Sequence, residues 1–359
     1  MEKPCKVVGL VQCKNEWGLI ALSITHALRN HVDEVFVLND SSSDESYQGL
    51  LKLQTLFPGR LHLYHMLGDE FLEDSSRTVL MHLSQSAQAD WCYTFDADEF
   101  LYTTTGVSLK ALLSTVAADV GALRYPLYNY LSLDTFDECQ LHGYAALQWQ
   151  AQVTQRAPIT LAQIIEGVRQ GERNLFTLPF FPKLIVRNDP MLRLHVGAHT
   201  VRDFNRTPKR LMHADTVAVV HLPMLSWARL QRKARMGQIF VESGVSPQLG
   251  WQNQLVYRMQ QEGRLPQMWR QHSLSAEGQL EPDRPRNVVQ DRRFVTLIAP
   301  TLKFLEEAFQ SKDLRVFRGE RLQRGAAPES TLPLQSVVRL LHRFMGFEAR
   351  YDEQLHQPK

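Results

Sequence analysis

The first hundred residues alternate between short apolar runs and amphipathic stretches, and this alternation constrains the fold more than any other feature. The apolar runs are rich in β-branched residues, which is typical of strands buried on both faces. They lie at residues 7–11, 34–38, 61–65 and 91–95. Apolar residues at helical spacing separate them, at residues 17–30, 47–57 and 77–87. The pattern predicts a parallel sheet joined by right-handed helical crossovers.

The pattern changes after Gly121, where short strand-like runs at 122–125, 183–187 and 216–221 alternate with polar loops. These runs predict mixed strands that extend the same sheet. From Ser226 onward, the apolar spacing is helical. We therefore expect an α/β fold with a mixed sheet flanked by helices in residues 1–225, and a helical C-terminal extension in residues 226–359.

Composition excludes several classes of protein. The 359 residues carry a formal net charge of +2, so no global field attracts nucleic acid. The four cysteines are scattered without a C-x-x-C pair, which argues against a zinc site and a disulfide framework. The apolar run near the amino terminus is too short for a signal peptide or a membrane span. A cytoplasmic location is the resulting expectation.

Three carboxylates follow the fourth predicted strand directly, at Asp96, Asp98 and Glu99. Side chains alternate along an extended chain, so Asp96 and Asp98 should face one side, where both can reach one divalent cation. Glu99 should point away and brace the loop. A solvated acidic turn is the plainer interpretation. The position at the carboxyl edge of a parallel sheet, where α/β folds bind ligands, favours a metal site.

A second polar loop follows the second predicted strand. Asp40 ends that strand and could accept hydrogen bonds from a nucleoside, whereas Asp44 fits a helix cap. No G-x-G-x-x-G follows the first strand and no Walker A motif occurs, which argues against dinucleotide oxidoreductases and P-loop enzymes. Acidic strand ends combined with a metal indicate a nucleotide-sugar ligand instead.

In their order along the chain, these residues resemble family 2 glycosyltransferases with the GT-A fold, a Rossmann-like mixed sheet. The similarity is greatest to a bacterial branch with an Asp-x-Asp-Glu-Phe signature, and it covers about residues 5 to 240. It rests on Lys14-Asn15-Glu16, on residues 39–44, on Phe95-Asp-Ala-Asp-Glu-Phe-Leu101, on residues 183–187, and on His199, His221, Ser226, Lys233 and Gly237.

The resemblance implies a metal-dependent enzyme that transfers a sugar from a UDP- or GDP-linked donor, with inversion, to a hydroxyl on a glycan or lipid-linked acceptor. It implies Mn²⁺ or Mg²⁺ on the donor's diphosphate, and a role in cell-surface glycan synthesis. The implied metal ligands are Asp96, Asp98 and His221, with His199 as the second choice of histidine. The candidate donor-binding residues are Lys14, Asn15, Asp40, Arg77 and Asp96.

An inverting transferase also needs a carboxylate that takes the proton of the acceptor hydroxyl. The sequence does not single it out. Asp134, Asp137 and Glu138 lie in the variable region after the sheet, where an acceptor could enter, and Asp189 and Asp203 are further candidates. Asp137 and Asp134 are the first choices. Residues 336–347 could form an amphipathic helix on a membrane surface, although a packing helix is the plainer interpretation.

Two other functions remain open. A phosphatase of the haloacid dehalogenase type also ends a strand in Asp-x-Asp, but usually on its first strand and with a different following residue. A non-catalytic module that binds sugar nucleotides is the other alternative. Phosphoenzyme formation at Asp96 would identify the phosphatase, and nucleotide binding without donor turnover would identify the module.

Overall fold

The computed structural model of the protein describes residues 5–67, 73–153, 160–178, 182–194, 198–244, 246–248, 250–278, 287–317 and 331–333. The helices are α1 Trp17–Asn30, α2 Ser46–Leu56, α3 Glu73–Leu83, α4 Leu109–Ser114, α5 Leu161–Gln170, α6 Trp227–Glu242, α7 Trp251–Gln261, α8 Leu265–His272 and α9 Arg293–Phe309. Short 3-10 turns span Ser84–Ala87, Leu141–Ala146, Leu175–Thr177 and Arg315–Phe317.

The strands are β1 Val7–Cys13, β2 Glu34–Asp40, β3 Leu61–Leu67, β4 Trp91–Thr94, β5 Glu99–Thr103, β6 Val120–Tyr125, β7 Leu127–Leu131, β8 Trp149–Ala151, β9 Lys183–Arg187, β10 Leu192–Leu194, β11 Val201–Asp203, β12 Arg210–His213, β13 Val217–His221, β14 Val288–Gln290 and β15 Thr331–Pro333. The chain divides into two compact units. The first unit combines Met1–Leu127, Phe181–Val219 and Phe304–Lys359, and the second combines Tyr128–Phe180 and Val220–Lys303.

An eight-stranded mixed sheet forms the centre of the first unit, in the order β12-β6-β9-β4-β1-β2-β3-β15. β1 lies between β4 and β2 and is parallel to both, and β3 is parallel to β2. β9 runs antiparallel between β4 and β6. The predicted α/β class, with a mixed sheet flanked by helices, is confirmed.

The register places the carboxyl ends of the parallel strands at one edge of the sheet. Leu10 of β1 is paired with Phe36 of β2 on one side and with Thr94 of β4 on the other. β1 and β2 remain paired as far as Cys13 and Asn39. The loops that follow β1, β2 and β4 therefore leave the sheet side by side, which is where open α/β sheets bind ligands.

Burial of apolar side chains on both faces of these strands explains why the sequence lacks strand-like alternation there. Leu10 and Phe36 join a buried cluster with Val79 and Leu80 of α3 and Leu184 of β9. Each such side chain contributes about 1.5–3 kcal/mol when it is fully removed from water. The sheet is thus stabilised mainly by residues that the apolar runs of the sequence already indicate.

The second unit contains an antiparallel group of three strands, with β8 between β7 and β14. Its apolar core joins residues of β7, β8 and α5 with residues of α6, α7 and α8. Helices α6 and α7 pack closely: a Cβ atom at Gly237 would lie 1.9 Å from the carbonyl oxygen of Asn253. Glycine at this position lets the two helices approach.

Most predicted elements occur with bounds within a few residues of the prediction. The domain boundary at residue 225 stays a prediction. The compact units combine the chain differently, because Phe304–Lys359 belongs to the first unit, where Trp17 Nε1 donates to the Leu314 oxygen at 2.7 Å. In the part of the chain that the structure describes, no helix is both long and apolar enough to span a membrane. Residues 336–347 lie outside that part.

Candidate active site at the carboxyl edge of the sheet

Asp96 lies two residues beyond β4 and is the centre of an ion network in the first unit. Lys183 Nζ donates to its Oδ2 atom at 2.7 Å, and the guanidinium of Arg77 on α3 contacts its Oδ1 atom. Both cations are buried, whereas 39% of the Asp96 side chain is exposed. Asp96 therefore presents a solvent-accessible carboxylate whose orientation is set by two enclosed cations.

Glu99 is the second acidic group that Lys183 contacts. Its Oε1 atom lies 3.0 Å from Lys183 Nζ, and its Oε2 atom accepts a hydrogen bond from the Asp96 N–H at 3.1 Å. Burial raises the pKa of Glu99 to about 8; Lys183 opposes this shift, and the charges of Asp96 and Asp98 add to it. Glu99 thus braces the loop through the Asp96 main chain, as the sequence indicated. It does not point away from Asp98 as expected, because an oxygen of each carboxylate lies within 4.8 Å of the other.

Lys183 is enclosed at the beginning of β9, where it pairs in register with Tyr125 of β6. Only 2% of its side chain is exposed. Burial alone would lower the pKa of Lys183, but the neighbouring charges of Asp96 and Glu99 raise it instead. The ammonium therefore stays protonated at neutral pH, held in place by the acidic segment that it neutralises.

Asp98 is 4% exposed and lies in the same loop. Together, Asp96 and Asp98 offer the carboxylate oxygens that Mn²⁺ and Mg²⁺ prefer, so the chemistry of this loop fits a hard divalent cation. Asp96 already contacts two cationic side chains, which makes Asp98 the carboxylate that we assign first to a metal ion. The metal assignment itself stays a prediction.

Asp40 and Lys14 lie at the neighbouring strand ends. The Asp40 carboxyl group is fully buried, and its Oδ2 atom is 3.4 Å from Lys14 Nζ. The end of β2 thus carries an acidic group beside a partly exposed lysine. This placement is compatible with the predicted contact between Asp40 and a nucleoside, which stays a prediction.

Asn15 connects the loops that follow β1 and β2. Its Oδ1 atom accepts from the N–H groups of Ser43 and Asp44 at 2.6 and 3.2 Å, and its own N–H donates to Ser42 Oγ at 2.9 Å. Its φ of 57° lies in the left-handed region, which asparagine tolerates better than most residues. Asn15 therefore shapes this edge of the sheet.

Asp44 caps two helices from the same loop. Its Oδ2 atom accepts from the N–H of Trp17 at 3.2 Å, and its Oδ1 atom accepts from the N–H of Ser46 at 2.9 Å. These are the first residues of α1 and α2, whose free N–H groups need acceptors. The helix-capping interpretation of Asp44 thus agrees with the structure.

His199 also belongs to the first unit. Its Nδ1 atom lies 3.2 Å from the Pro182 carbonyl oxygen, which can only accept, so Nδ1 carries the proton and Nε2 has the lone pair. Burial lowers the pKa of His199 to about 4, and the charge of Lys183 adds to this effect. His199 is therefore a neutral imidazole, the form that binds metals.

His221, the first choice among the histidines, ends β13 and belongs to the second unit. Its Nδ1 atom is 2.8 Å from Asn129 Oδ1, and the Asn129 amide nitrogen donates to the Phe176 oxygen at 3.3 Å. The amide oxygen must accept, so the neutral His221 ring carries its proton on Nδ1. The structure thus indicates its tautomer, and its role as a ligand stays a prediction.

The candidate bases Asp134 and Asp137 lie in the second unit, in the loop after β7. The Asp134 N–H donates to the Leu274 oxygen at 2.9 Å, and Asp137 Oδ1 accepts from the Cys139 N–H at 3.0 Å. Their neighbour Glu138 fastens this loop to α6 through contacts with Ser226 and Arg232. The structure thus holds both candidates in one braced loop.

The alternative bases, Asp189 and Asp203, hold the segment around β10 and β11 together. Asp189 Oδ2 accepts from Lys209 Nζ at 2.6 Å, and Asp203 Oδ2 accepts from the Lys209 N–H at 2.7 Å. Burial tends to raise the pKa of Asp189, but the hydrogen bonds that it accepts lower it overall. Both carboxylates therefore serve local structure, and the choice among the candidate bases stays a prediction.

Sequence reasoning missed the roles of Lys183 and Glu138. Lys183 was noted only as the first residue of a resembling strand, although a lysine that opens a buried apolar strand is unusual enough to suggest an acidic partner. Glu138 was named only as a candidate base beside Asp134 and Asp137, and its contacts with Ser226 and Arg232 were not expected. No local pattern identifies the partners of either side chain, because those partners come from distant parts of the chain.

Comparison with known proteins gives no family assignment. No protein-family model matches the chain, and no curated protein matches it. Among solved structures, it is similar to S. aureus TarS 1-349, with 14% identity, coverage of 90% of this chain and 95% of that chain, and a TM-score of 0.35. A longer TarS structure gives 13% identity, coverage of 71% of this chain but only 43% of that chain, and a TM-score of 0.33.

A third similar structure is the mannosyltransferase PcManGT from Pyrobaculum calidifontis in complex with GDP-Man and Mn²⁺. It gives 13% identity, coverage of 87% of this chain and 84% of that chain, and a TM-score of 0.34. Identities and TM-scores this low transfer no property of these proteins to the present chain.

Proposed function

We propose that this protein is a divalent-cation-dependent glycosyltransferase of the family 2 type with a GT-A fold. It would transfer a sugar from a UDP- or GDP-linked donor to a hydroxyl group of a glycan or lipid-linked acceptor, with inversion. A role in cell-surface glycan synthesis, a cytoplasmic location and a peripheral contact with the inner face of the membrane belong to the same proposal.

The observation that supports the proposal is the convergence of charged side chains at one edge of the first unit's sheet. Lys14 follows β1 and Asp40 ends β2, and Asp96 and Asp98 follow β4, the strand on the other side of β1. Arg77 adds a buried guanidinium beside Asp96. Carboxylates for a cation and cations for phosphate oxygens thus occur together where such sheets bind ligands.

Asp98 and Asp96 would hold Mn²⁺ or Mg²⁺, with His221 or His199 as the candidate imidazole ligand. When bound, the cation would neutralise the negative charge of the leaving nucleoside diphosphate. Arg77 and Lys14 would supply further positive charge to the phosphates, and Asp40 would accept hydrogen bonds from the nucleoside. Asp137 or Asp134 would take the proton of the acceptor hydroxyl as it attacks the anomeric carbon.

The donor site is tested by titrating UDP and GDP into the protein with and without Mn²⁺, using calorimetry. We expect one nucleotide to bind in a Mn²⁺-dependent manner, and Asp98→Ala and Asp98→Asn to remove that dependence. Asp119→Ala is the matched control, because Asp119 pairs with Arg210 on the surface of the same unit, with 59% of its side chain exposed. Unchanged Mn²⁺-dependent binding by folded Asp98 variants would reject the assignment.

Product analysis separates the proposal from its alternatives. Incubation with a panel of UDP- and GDP-sugars should give Mn²⁺-dependent donor hydrolysis, and NMR of the product should report the anomeric configuration. Asp137→Asn or Asp134→Asn should lower turnover without weakening nucleotide binding. Phosphoenzyme at Asp96 would instead indicate the phosphatase, and nucleotide binding without turnover of any donor would indicate the non-catalytic module.

A further inference from the structure

Lys183 is the most deeply enclosed cation near the proposed donor site, and no role in the proposed reaction has been given to it. It reaches two carboxylates of one short loop: Asp96 Oδ2 at 2.7 Å and Glu99 Oε1 at 3.0 Å. Glu99 in turn accepts from the Asp96 main chain at 3.1 Å. Lys183, Glu99 and Asp96 thus form a closed triangle that holds both the side chain and the main chain of Asp96.

This arrangement is difficult to explain by stability alone. Burying the Lys183 ammonium costs several kcal/mol, and replacing a buried ion pair with apolar groups of similar volume is often neutral or stabilising. A methionine or leucine at the beginning of β9 would suit the apolar strand that follows. Retention of a lysine that is 2% exposed therefore points to a requirement for orientation of the carboxylates that it contacts.

The neighbours of Lys183 indicate what is oriented. Asp96 keeps 39% of its side chain exposed, although the cations that hold it are buried. Its two carboxylate oxygens have different partners, since Arg77 contacts Oδ1 and Lys183 contacts Oδ2. A carboxylate fixed at both oxygens and at its own N–H cannot rotate, so the adjoining Asp98 also leaves the strand in a defined direction.

We propose that Lys183 is a positioning residue, which together with Glu99 preorganises the Asp96–Asp98 segment for a cation and a nucleoside diphosphate. The inference rests on the proposed function, because it assumes that this segment binds the metal-bound donor. Lys183 acts through Asp96 and does not itself contact the donor. Residues that orient metal ligands in this way typically change metal affinity 10- to 100-fold when they are replaced.

The experiment compares the wild type with Lys183→Met, with Glu99→Gln and with the double variant Lys183→Met/Glu99→Gln. The double variant removes Lys183 and Glu99 together and leaves neither buried group without its partner, so it should fold even if the single lysine variant does not. Glu99→Gln keeps an oxygen for the Asp96 N–H and leaves the contact between Lys183 and Asp96 in place. Lys209→Met is the control, because it removes another lysine–aspartate bridge, of 2.6 Å to Asp189.

Each folded variant is measured for Mn²⁺-dependent binding of UDP and GDP, and separately for its urea unfolding midpoint. We expect Lys183→Met and the double variant to bind about 10-fold more weakly or worse. Glu99→Gln should weaken binding by a smaller factor, and Lys209→Met should bind nearly like the wild type. A purely structural role of Lys183 would move the unfolding midpoint and leave the affinity of the folded double variant unchanged.

The outcomes distinguish the two proposals. If the wild type binds neither nucleotide with Mn²⁺, the proposed function itself fails. If the wild type binds and the folded double variant binds equally well, the positioning role of Lys183 is rejected while the proposed function stands. Tighter binding by the lysine variants would likewise reject it, because Lys183 would then only compete with the cation.

Discussion

Replacement of Gly237 by alanine provides a quantitative test of how α6 and α7 pack in the second unit. A Cβ atom at this position would lie 1.9 Å from the carbonyl oxygen of Asn253 and 2.9 Å from Cβ of Tyr257. The nearest obstacle is main chain, so no side-chain rotation relieves it. Because favourable contacts between such atoms begin near 3.5 Å, the helices would have to move about 1.5 Å apart.

Two effects of opposite sign compete in Gly237→Ala. Alanine favours the helix over glycine by about 1 kcal/mol. Overpacking in a closely packed interior typically costs about 1–3 kcal/mol, and a clash with main chain belongs at or above the upper end of this range. We therefore expect the free energy of unfolding to fall by about 2 kcal/mol.

Gly167→Ala is the matched control, because Gly167 is also a helical glycine of the second unit. There the three atoms nearest to the added Cβ all belong to the Arg173 side chain, the first at 2.5 Å, and that side chain can rotate away. Urea unfolding followed by tryptophan fluorescence should show Gly237→Ala clearly destabilised and Gly167→Ala unchanged or slightly stabilised. Equal stability of the two variants would refute the close approach of α6 and α7.

Three further predictions concern stability. Burial lowers the pKa of His26 to about 4 and that of His31 to about 3. In the unfolded chain both pKa values are near 6.5, so the unfolded state takes up protons first as the pH falls. The contribution of these histidines to stability should therefore be complete above pH 6.5 and decrease toward pH 4. In His31→Phe, the urea unfolding midpoint should decrease less between pH 6.5 and pH 4 than in the wild type. An equal decrease in both proteins would contradict this prediction. Arg187 stacks on a tryptophan ring at 4.3 Å and donates to three main-chain carbonyls, so Arg187→Met should cost about 3 kcal/mol without changing nucleotide binding. Ser226 caps α6 and donates to Glu138, so Ser226→Ala should cost about 1–2 kcal/mol, and thermal melts with no shift would argue against this double role.

Local physical chemistry explains why the strands and helices of the first hundred residues could be predicted. A strand buried on both faces must be continuously apolar, and an amphipathic helix must repeat its apolar residues every three to four positions. Trp17 and Asn30 marked the bounds of α1 in the sequence, and they are the bounds in the structure. Such signals lie within a few neighbouring residues and do not depend on the rest of the fold.

At the site, the sequence could point only to groups for which a single strand end carries the information. Asp96 and Asp98 could be selected because they directly follow an apolar strand. Lys183 could not be paired with Asp96, because 87 residues separate them in the chain and only the insertion of β9 between β4 and β6 brings them together. Asn15 was expected near a nucleoside, and only the folded loops reveal that it connects the segments after β1 and β2.

The sequence by itself therefore determined the strands, the helices that cross between them, and the acidic residues at the strand ends. These features follow from hydrophobic burial and side-chain alternation, which operate over a few residues. Only the tertiary structure decided that Asp96 lies between Arg77 and Lys183, and that Glu99 holds its main chain. Ion pairs of this kind depend on strand order and register, and these arise from contacts between segments that are distant in the chain.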